Sequence, residues 1–568
     1  MQISFLNCAA WALGWLALVT ASVAHAGGGP QNVAVIVNPD DPNSLAVANA
    51  YVDLRQIPAT NVIYIPWTLD ARSTTGAKFR DLLLKPTFEE LKRRGVLDHI
   101  DGLAFSSGFP YLISCTALFP GKEFPREARP MASLTSAAYL YEFVLHNKPE
   151  MFGPNANLYF AATAGGRTPS RAFSARQKWN GAGQPVADNG MKYLLATALG
   201  VTHGHGNTAA EIIASLQRSR SADGMKPPGT IYYMRNEDVR SKTRHDGFQT
   251  AVQELAAVNV RAVIQEGVVP RGAPDVAGLT TGRAQVDLRS AGSRLLPGAL
   301  VDNLTSAGGQ MLIRVERNPQ TRISEFIRLG AAGASGTVVE PYSLWQKFPS
   351  PALHVHYARG CSLAEAFYQA VSAPAHLLII GDPLCQPWAT PPVVTASGLE
   401  IGGPLSGDVT ITPAAKYADA RNASRFELFV DGVRKASAAP GAPLKLETKS
   451  LPDGWHDMRL VAIDDTPIAV QGALAMAVEI RNGDDAVGMV IAEPRRFALG
   501  GKIPVDVQST RTEDAQLMHN GRQLATVTGG RGKVEVAAKQ LGRGQIQFYV
   551  EQDGQPPLRS RPVTVEIY

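Results

Sequence analysis

Residues Gly330–Trp388 read GAAGASGTVVEPYSLWQKFPSPALHVHYARGCSLAEAFYQAVSAPAHLLIIGDPLCQPW. The stretch holds an apolar strand, Gly336–Val339, and a Cys-opened amphipathic segment, Cys361–Val371. A second apolar strand then runs into Gly381-Asp382-Pro383-Leu384-Cys385. Upstream, apolar runs alternate with helical periodicity. Downstream of Pro391-Pro392 only short strand-like runs separated by turns remain. The stretch therefore closes an α/β domain and opens an all-β region.

Working outward towards the N-terminus, Asn32–Val37 is an apolar run of the buried parallel-strand kind. Turn residues follow, and Ser44 caps a helical pattern over Leu45–Arg55. Val62–Ile65, a helix over Phe79–Arg94 and Gly102–Phe105 complete a β-α-β-α-β series. Short connections and right-handed crossovers then imply a mainly parallel sheet. The pattern loosens over 106–190, read as an excursion from the sheet. Beyond it, Met191–Leu199 reads as helical and Asn207 as the cap of a helix over Thr208–Arg218. Gly229–Met234, His245–Ala257 and Val260–Gln265 form a second strand–helix–strand block. A short segment at Val276–Thr280 and helices near Gly298–Ser306 and Ile323–Ala331 lead back to the opening stretch.

Towards the C-terminus, strand-like runs fall into two blocks separated by Asn482-Gly483-Asp484-Asp485. Their size and spacing predict two immunoglobulin-like β-sandwich domains. The expected organisation is a leader over 1–26, an α/β domain over 27–390, and sandwiches over 393–482 and 486–568.

No Asp, Glu, Lys or Arg precedes Asp40, and Ala9–Val19 is an apolar run ending before Ala24-His25-Ala26. That pattern predicts a signal peptide cut before Gly27, and the run is short for a bilayer span. The mature chain is expected to be exported to the periplasm or beyond, with no membrane span. Export leaves Cys115, Cys361 and Cys385 in an oxidising compartment, enough for one disulfide and one free thiol. A chain of 568 residues exceeds one core. Its +5 charge is scattered, with only short runs such as Lys92-Arg93-Arg94, which argues against nucleic acid as a partner. Asn32–Ser44 lacks Gly-x-Gly-x-x-Gly, so a dinucleotide is not expected, and no cofactor is assigned.

Three motifs carry a resemblance: SLAVANAYVDLRQIPATN at Ser44–Asn61, PGALVDNLTSAGG at Pro297–Gly309, and GTVVEP, YARGCSLAEAF and GDPLCQPW within Gly330–Trp388. Together they resemble a family of exported bacterial proteins, a likeness that implies export but no activity. A more distant likeness is to gingipain-type cysteine peptidases of caspase-like fold, which also end a strand in Gly-Asp-Pro and carry an immunoglobulin-like domain behind it. That likeness implies a catalytic His-Gly near Leu279-Thr280-Thr281-Gly282 and a catalytic Cys near Leu304-Thr305-Ser306-Ala307; this sequence has neither. The resemblance implies the caspase-like fold and argues against the activity.

Other residues offer chemistry. Cys361 opens a helix with His354 and His356 just upstream. A helix N-terminus lowers a thiol pKa, and one imidazole would complete a thiolate–imidazolium pair for a cysteine hydrolase. The two histidines alternate on an expected strand, so only one would face Cys361. The competing reading, favoured in an exported chain, is a Cys361–Cys385 disulfide. His203 and His205 flank Gly204 with Glu211 nearby, a donor set suited to zinc and a metal-dependent hydrolase, or simply a polar turn before a helix. Asp382 ends an expected parallel strand, where α/β sheets bind ligands, or shapes the turn through its side chain. The favoured sequence reading is a non-catalytic, degenerate caspase-like domain joined to sandwich modules, with an unidentified protein or cell-envelope surface as partner.

Overall fold

The computed structural model describes residues 28–312, 319–399 and 403–568. The expected leader and Cys8 lie outside the described residues. Ten strands build the first sheet: β1 Val33–Val37, β2 Val62–Tyr64, β3 Gly102–Phe105, β4 Leu195–Ala198, β5 Thr230–Arg235, β6 Arg261–Glu266, β7 Val276–Thr281, β8 Leu295–Asn303, β9 Gly333–Thr337 and β10 Leu377–Gly381. They run in the order β6-β5-β7-β8-β9-β10-β4-β3-β1-β2. All pairs are parallel except β9 with β10. Seven helices that matter below are α1 Pro42–Arg55, α2 Lys85–Arg93, α3 Ala209–Ala222, α4 Phe248–Ala256, α5 Ile323–Arg328, α6 Ala352–Ala358 and α7 Leu363–Ala370. The fold class is α/β with a mainly parallel sheet, as the strand–helix alternation predicts.

A seam divides this sheet. One residue pair, Ile380 with Ala198, joins β10 to β4. Elsewhere along that edge side chains replace a strand partner: Ile379 N–H donates to Thr135 Oγ1 (3.1 Å), and the Leu377 carbonyl accepts from Ser133 Oγ (2.7 Å). The backbone groups of β10 are thus satisfied without a ladder. Two contiguous parallel blocks result, one within 33–198 and one within 230–337.

Two segments expected to be helical are strands. The helix expected near Gly298–Ser306 is the central strand β8. Pro297 and Gly298 make a bulge there rather than a helix start: the register with β7 shifts between Val276 and Gly278, and Gly298 sits at φ +85° against Pro387. The helix expected at Met191–Leu199 is strand β4, whose Leu and Ala residues are buried on both faces. In both, burial between neighbouring strands outweighs the helix preference of Leu and Ala.

Behind Pro391-Pro392 two sandwiches follow. In the first, β11 Val393–Ser397, β12 Asp408–Lys416 and β15 Leu444–Glu447 face β13 Ala423–Val430, β14 Val433–Ala438, β16 Asp453–Asp464 and β17 Gln471–Ile480. In the second, β18 Val487–Val490, β19 Lys502–Ser509 and β22 Gly532–Ala537 face β20 Ala515–His519, β21 Arg522–Val527, β23 Gly544–Gln552 and β25 Val563–Ile567. The modules share a sheet: β16 pairs with β24, Leu558–Arg559, through Gly454 and Arg559. Gly454 lies at φ +123°, and a Cβ there would meet the Arg559 carbonyl at 1.7 Å.

The sandwiches also dock on the α/β domain. Asn49 of α1 donates to the Leu541 and Arg543 carbonyls (2.8 and 3.0 Å), Thr60 Oγ1 donates to Asp431 O (2.6 Å), and His99 Nε2 meets Gly432 O (2.7 Å). Phe429, Val461 and Ile463 of the first sandwich join the core of the α/β domain. Among the described residues no helix is long and apolar enough to cross a membrane.

Candidate functional site

The parallel ends of β7 and β8 lie side by side where the gingipain likeness expects a catalytic pair: Thr281 is opposite Asn303, and Leu304 N–H donates to Thr281 O (3.0 Å). Thr280, Thr281 and Thr305 are at most 1% exposed. Each hydroxyl is engaged internally, Thr280 Oγ1 with His354 Nε2 (3.1 Å), Thr281 Oγ1 with Val268 O (2.6 Å) and Thr305 Oγ1 with Gln320 Oε1 (2.5 Å). Beneath them the Arg244–Asp302 ion pair is buried, and Ser335 Oγ donates to Asp302 Oδ1 (2.6 Å). Gly282 packs directly on the Arg240–Ser241 backbone, which closes the space above the strand ends.

Cys361 does not form the expected pair with an imidazole. His354 and His356 lie on helix α6, not on a strand, and two residues along a helix point about 200° apart. His356 Nδ1 binds Ser170 Oγ (2.9 Å). Burial, aided by Arg244 and Arg359 respectively, lowers both histidines to a pKa of about 3. Cys361 itself is fully buried; burial first, and then Glu365, pushes its thiol well above the ordinary value. Neutral imidazoles and a protonated thiol are the opposite of an activated nucleophile.

The expected Cys361–Cys385 disulfide is also corrected: Cys115, Cys361 and Cys385 are all free and buried. Gln369 Nε2 donates to Cys361 Sγ (3.4 Å). Cys385 Sγ accepts from Tyr357 OH (3.1 Å) and donates to Ser219 O (3.5 Å). Each sulfur is committed to a different neighbour, so sequence proximity across one strand did not bring them together.

Among the described residues no group of three or more His, Cys, Asp or Glu is placed to hold a metal ion. His203 stacks on Tyr111 (centroids 5.5 Å apart), and His205 contributes its N–H to Met311 O (2.7 Å). Glu211 closes a capping box with Thr208 at the start of α3 and pairs with Arg328 (2.9 Å). The cap is Thr208, one residue beyond the expected Asn207. Gly204 is required because a Cβ there would collide with Met311 O, so packing accounts for the His-Gly-His turn.

Asp382 follows β10, which is antiparallel to β9, and it is fully buried. It accepts from Arg55 Nε (2.8 Å), Tyr51 OH (3.1 Å) and Leu384 N–H (3.1 Å), while Arg55 also pairs with Asp223. Every oxygen is used within the fold, so Asp382 presents nothing to a ligand.

A cavity of 490 Å³ lies elsewhere, walled by α1 and both sandwiches. Strand alternation sets its walls. Trp455, Asp457 and Arg459 of β16 share one face, with Ala477 and Ala475 opposite the last two on β17. Gln545 and Gln547 of β23, with Thr564 of β25 opposite Gln547, form the facing wall. Asp53 of α1, Gln56 at its C-cap, and the apolar Val52, Ile57 and Met476 also line it. At its base Asp431 Oδ2 meets His456 Nδ1 (2.6 Å) and Arg559 Nη1 (2.7 Å), and its Oδ1 accepts from Asp457 N–H (3.0 Å). Burial works to raise the Asp431 pKa, but Arg559 and His456 prevail and hold it below the ordinary value. The sequence reading missed this site, which is assembled from segments hundreds of residues apart. Its available signals were the polar residues Asn49 and Asp53 of α1.

No family model matches the chain, and no curated protein matches it. Similar solved structures include the fibronectin(III)-like modules of Clostridium thermocellum CbhA (13% identity, 31% of this chain and 93% of that chain covered, TM-score 0.13). Another is SGBP-B of the Bacteroides ovatus mixed-linkage glucan utilization locus, in complex with a mixed-linkage heptasaccharide (10% identity, 31% and 47% covered, TM-score 0.19). A third is dimeric latent PorU from Porphyromonas gingivalis (13% identity, 31% and 20% covered, TM-score 0.13). The strand order itself defines the class: a mainly parallel α/β domain followed by two β-sandwich modules.

Proposed function

We propose that the protein is an exported, non-catalytic binding protein whose caspase-like α/β domain supports recognition by the two sandwiches. One observation carries this reading. The strand ends at which a histidine and a cysteine would act hold Thr280, Thr281 and Thr305, buried and internally hydrogen-bonded. The apolar leader before Gly27 supports export. The cavity at the junction of three units supports binding, since ligand sites favour domain interfaces.

The test uses the purified mature chain with a mixed peptide library and, separately, iodoacetamide at pH 7. No cleavage above buffer and no alkylation of Cys361 before unfolding are expected. Peptide cleavage that Cys361→Ser abolishes would sink the reading.

A further inference from the structure

The wall chemistry of the three-unit cavity selects its ligand. The charges at its base are matched by neighbours: Asp431 by His456 and Arg559, and Asp457 by Arg459 (2.7 Å). A phosphate or carboxylate would compete with those pairs. The alanines at 475 and 477 leave width between the walls. The exposed polar groups of its lining are the amides of Gln56, Gln545 and Gln547, the hydroxyl of Thr564 and the carboxylate of Asp53, a set that favours hydroxyl donors and opposes an anion. One aromatic ring, Trp455, is half-buried, with Arg561 over its ring at 4.8 Å. Tyr549, by contrast, is 6% exposed and carries Arg559 over its ring.

From this we infer that the cavity between α1, the β16–β17 face and the β23–β25 face binds a neutral oligosaccharide. The inference rests on the binding-protein reading given above and names the ligand class of its cavity. Amide side chains both donate and accept, which matches sugar hydroxyls. The half-buried indole, with Arg561 over its ring, offers the exposed part of its apolar body to the C–H face of a pyranose. The volume of 490 Å³ lies within the range of small-ligand sites and holds a short run of sugar units rather than a chain wrapped over the surface.

The test is isothermal titration of the full mature chain with cellohexaose, maltohexaose, mannohexaose and xylohexaose, with an oligogalacturonate as the anionic comparison. At least one neutral hexasaccharide is expected to bind with a Kd of about 1 mM or tighter. Trp455→Ala removes the stacking platform, and Ala477→Trp fills the cavity from an exposed position. Each is expected to weaken that binding by about tenfold or more. The inference is overturned if no neutral hexasaccharide binds at about 10 mM, if the oligogalacturonate binds more tightly, or if Ala477→Trp leaves binding unchanged. A chain that neither cleaves peptide nor binds sugar overturns this inference alone; a chain that cleaves peptide through Cys361 overturns the reading beneath it.

Discussion

Arg55 Nε donates to Asp382 Oδ2 at 2.8 Å across 327 residues of sequence. The contact ties the end of α1, in the first parallel block, to the turn that leaves β10. Tyr51 OH and Leu384 N–H use the remaining capacity of the carboxylate, and Asp223 takes the other side of the guanidinium. Removing one partner strands a buried charge. Asp382→Ala is expected to destabilise the chain by about 3–5 kcal/mol, read from urea midpoints. The double variant Arg55→Met with Asp382→Leu should cost less than the sum of the single changes, because the buried carboxylate and guanidinium leave together and Asp223 keeps Arg220 (3.5 Å). Additive losses would mean that the pair is not coupled.

Asp101 supplies a test with a defined sign. Burial raises its pKa to about 8, against the Ala175 N–H that donates to its carboxyl (2.8 Å). A folded-state pKa above the unfolded one makes stability greatest below about pH 4 and erodes it as pH rises towards 8, by about 1.4 kcal/mol per unit. Asp101→Asn keeps an acceptor for Ala175 and removes the titration. The stability of this variant relative to the parent should climb between pH 4 and pH 8. A pH-independent difference would refute the assignment.

The buried histidines work in the opposite direction. His354, His356 and His376 are each lowered to a pKa of about 3, chiefly by burial. Folded values below the unfolded one give stability that is complete above about pH 6.5 and lost as pH falls towards 3. Between pH 6 and pH 4.5 each of these rings should add about one proton to the pH slope of the unfolding free energy, so His354→Gln, His356→Gln and His376→Gln should each lower that slope by about one. A slope unchanged in all three variants would show that these rings titrate freely.

Gly454→Ala tests the junction between the sandwiches. The substitution puts a methyl group on the Arg559 carbonyl at a backbone angle that side chains avoid. A loss of about 1–3 kcal/mol is expected, with faster proteolysis between the two sandwiches. Unchanged calorimetry and unchanged cleavage would show that the modules do not depend on this pairing.

The sequence shows the alternation that builds β1 to β3 clearly, because each strand is a short apolar run flanked by turn residues. It misleads at β4 and β8, where Leu and Ala favour helix locally and only burial between two neighbours imposes a strand. The motif at Ser44–Asn61 is visible as a motif, but its meaning is tertiary. Asn49 serves the second sandwich, Arg55 serves Asp382, and Thr60 serves the first sandwich. The cysteines illustrate the same limit. Spacing suggests Cys361 with Cys385, whereas the directions of their side chains depend on α7 and the turn after β10. Cavity residues such as Trp455 and Gln547 carry no local signal, since each looks like an ordinary outward-facing strand residue until two sandwiches and a helix are brought together.

The seam between β4 and β10 bears on how the chain acquires its structure. Each parallel block is contiguous in sequence, so most of its pairings close short loops, and one bridge is all that must form between blocks within the sheet. Nucleation inside each block is entropically cheaper than nucleation across the seam. During synthesis the block within 33–198 can assemble first, and the later block completes the sheet by docking rather than by threading a strand into a finished ladder.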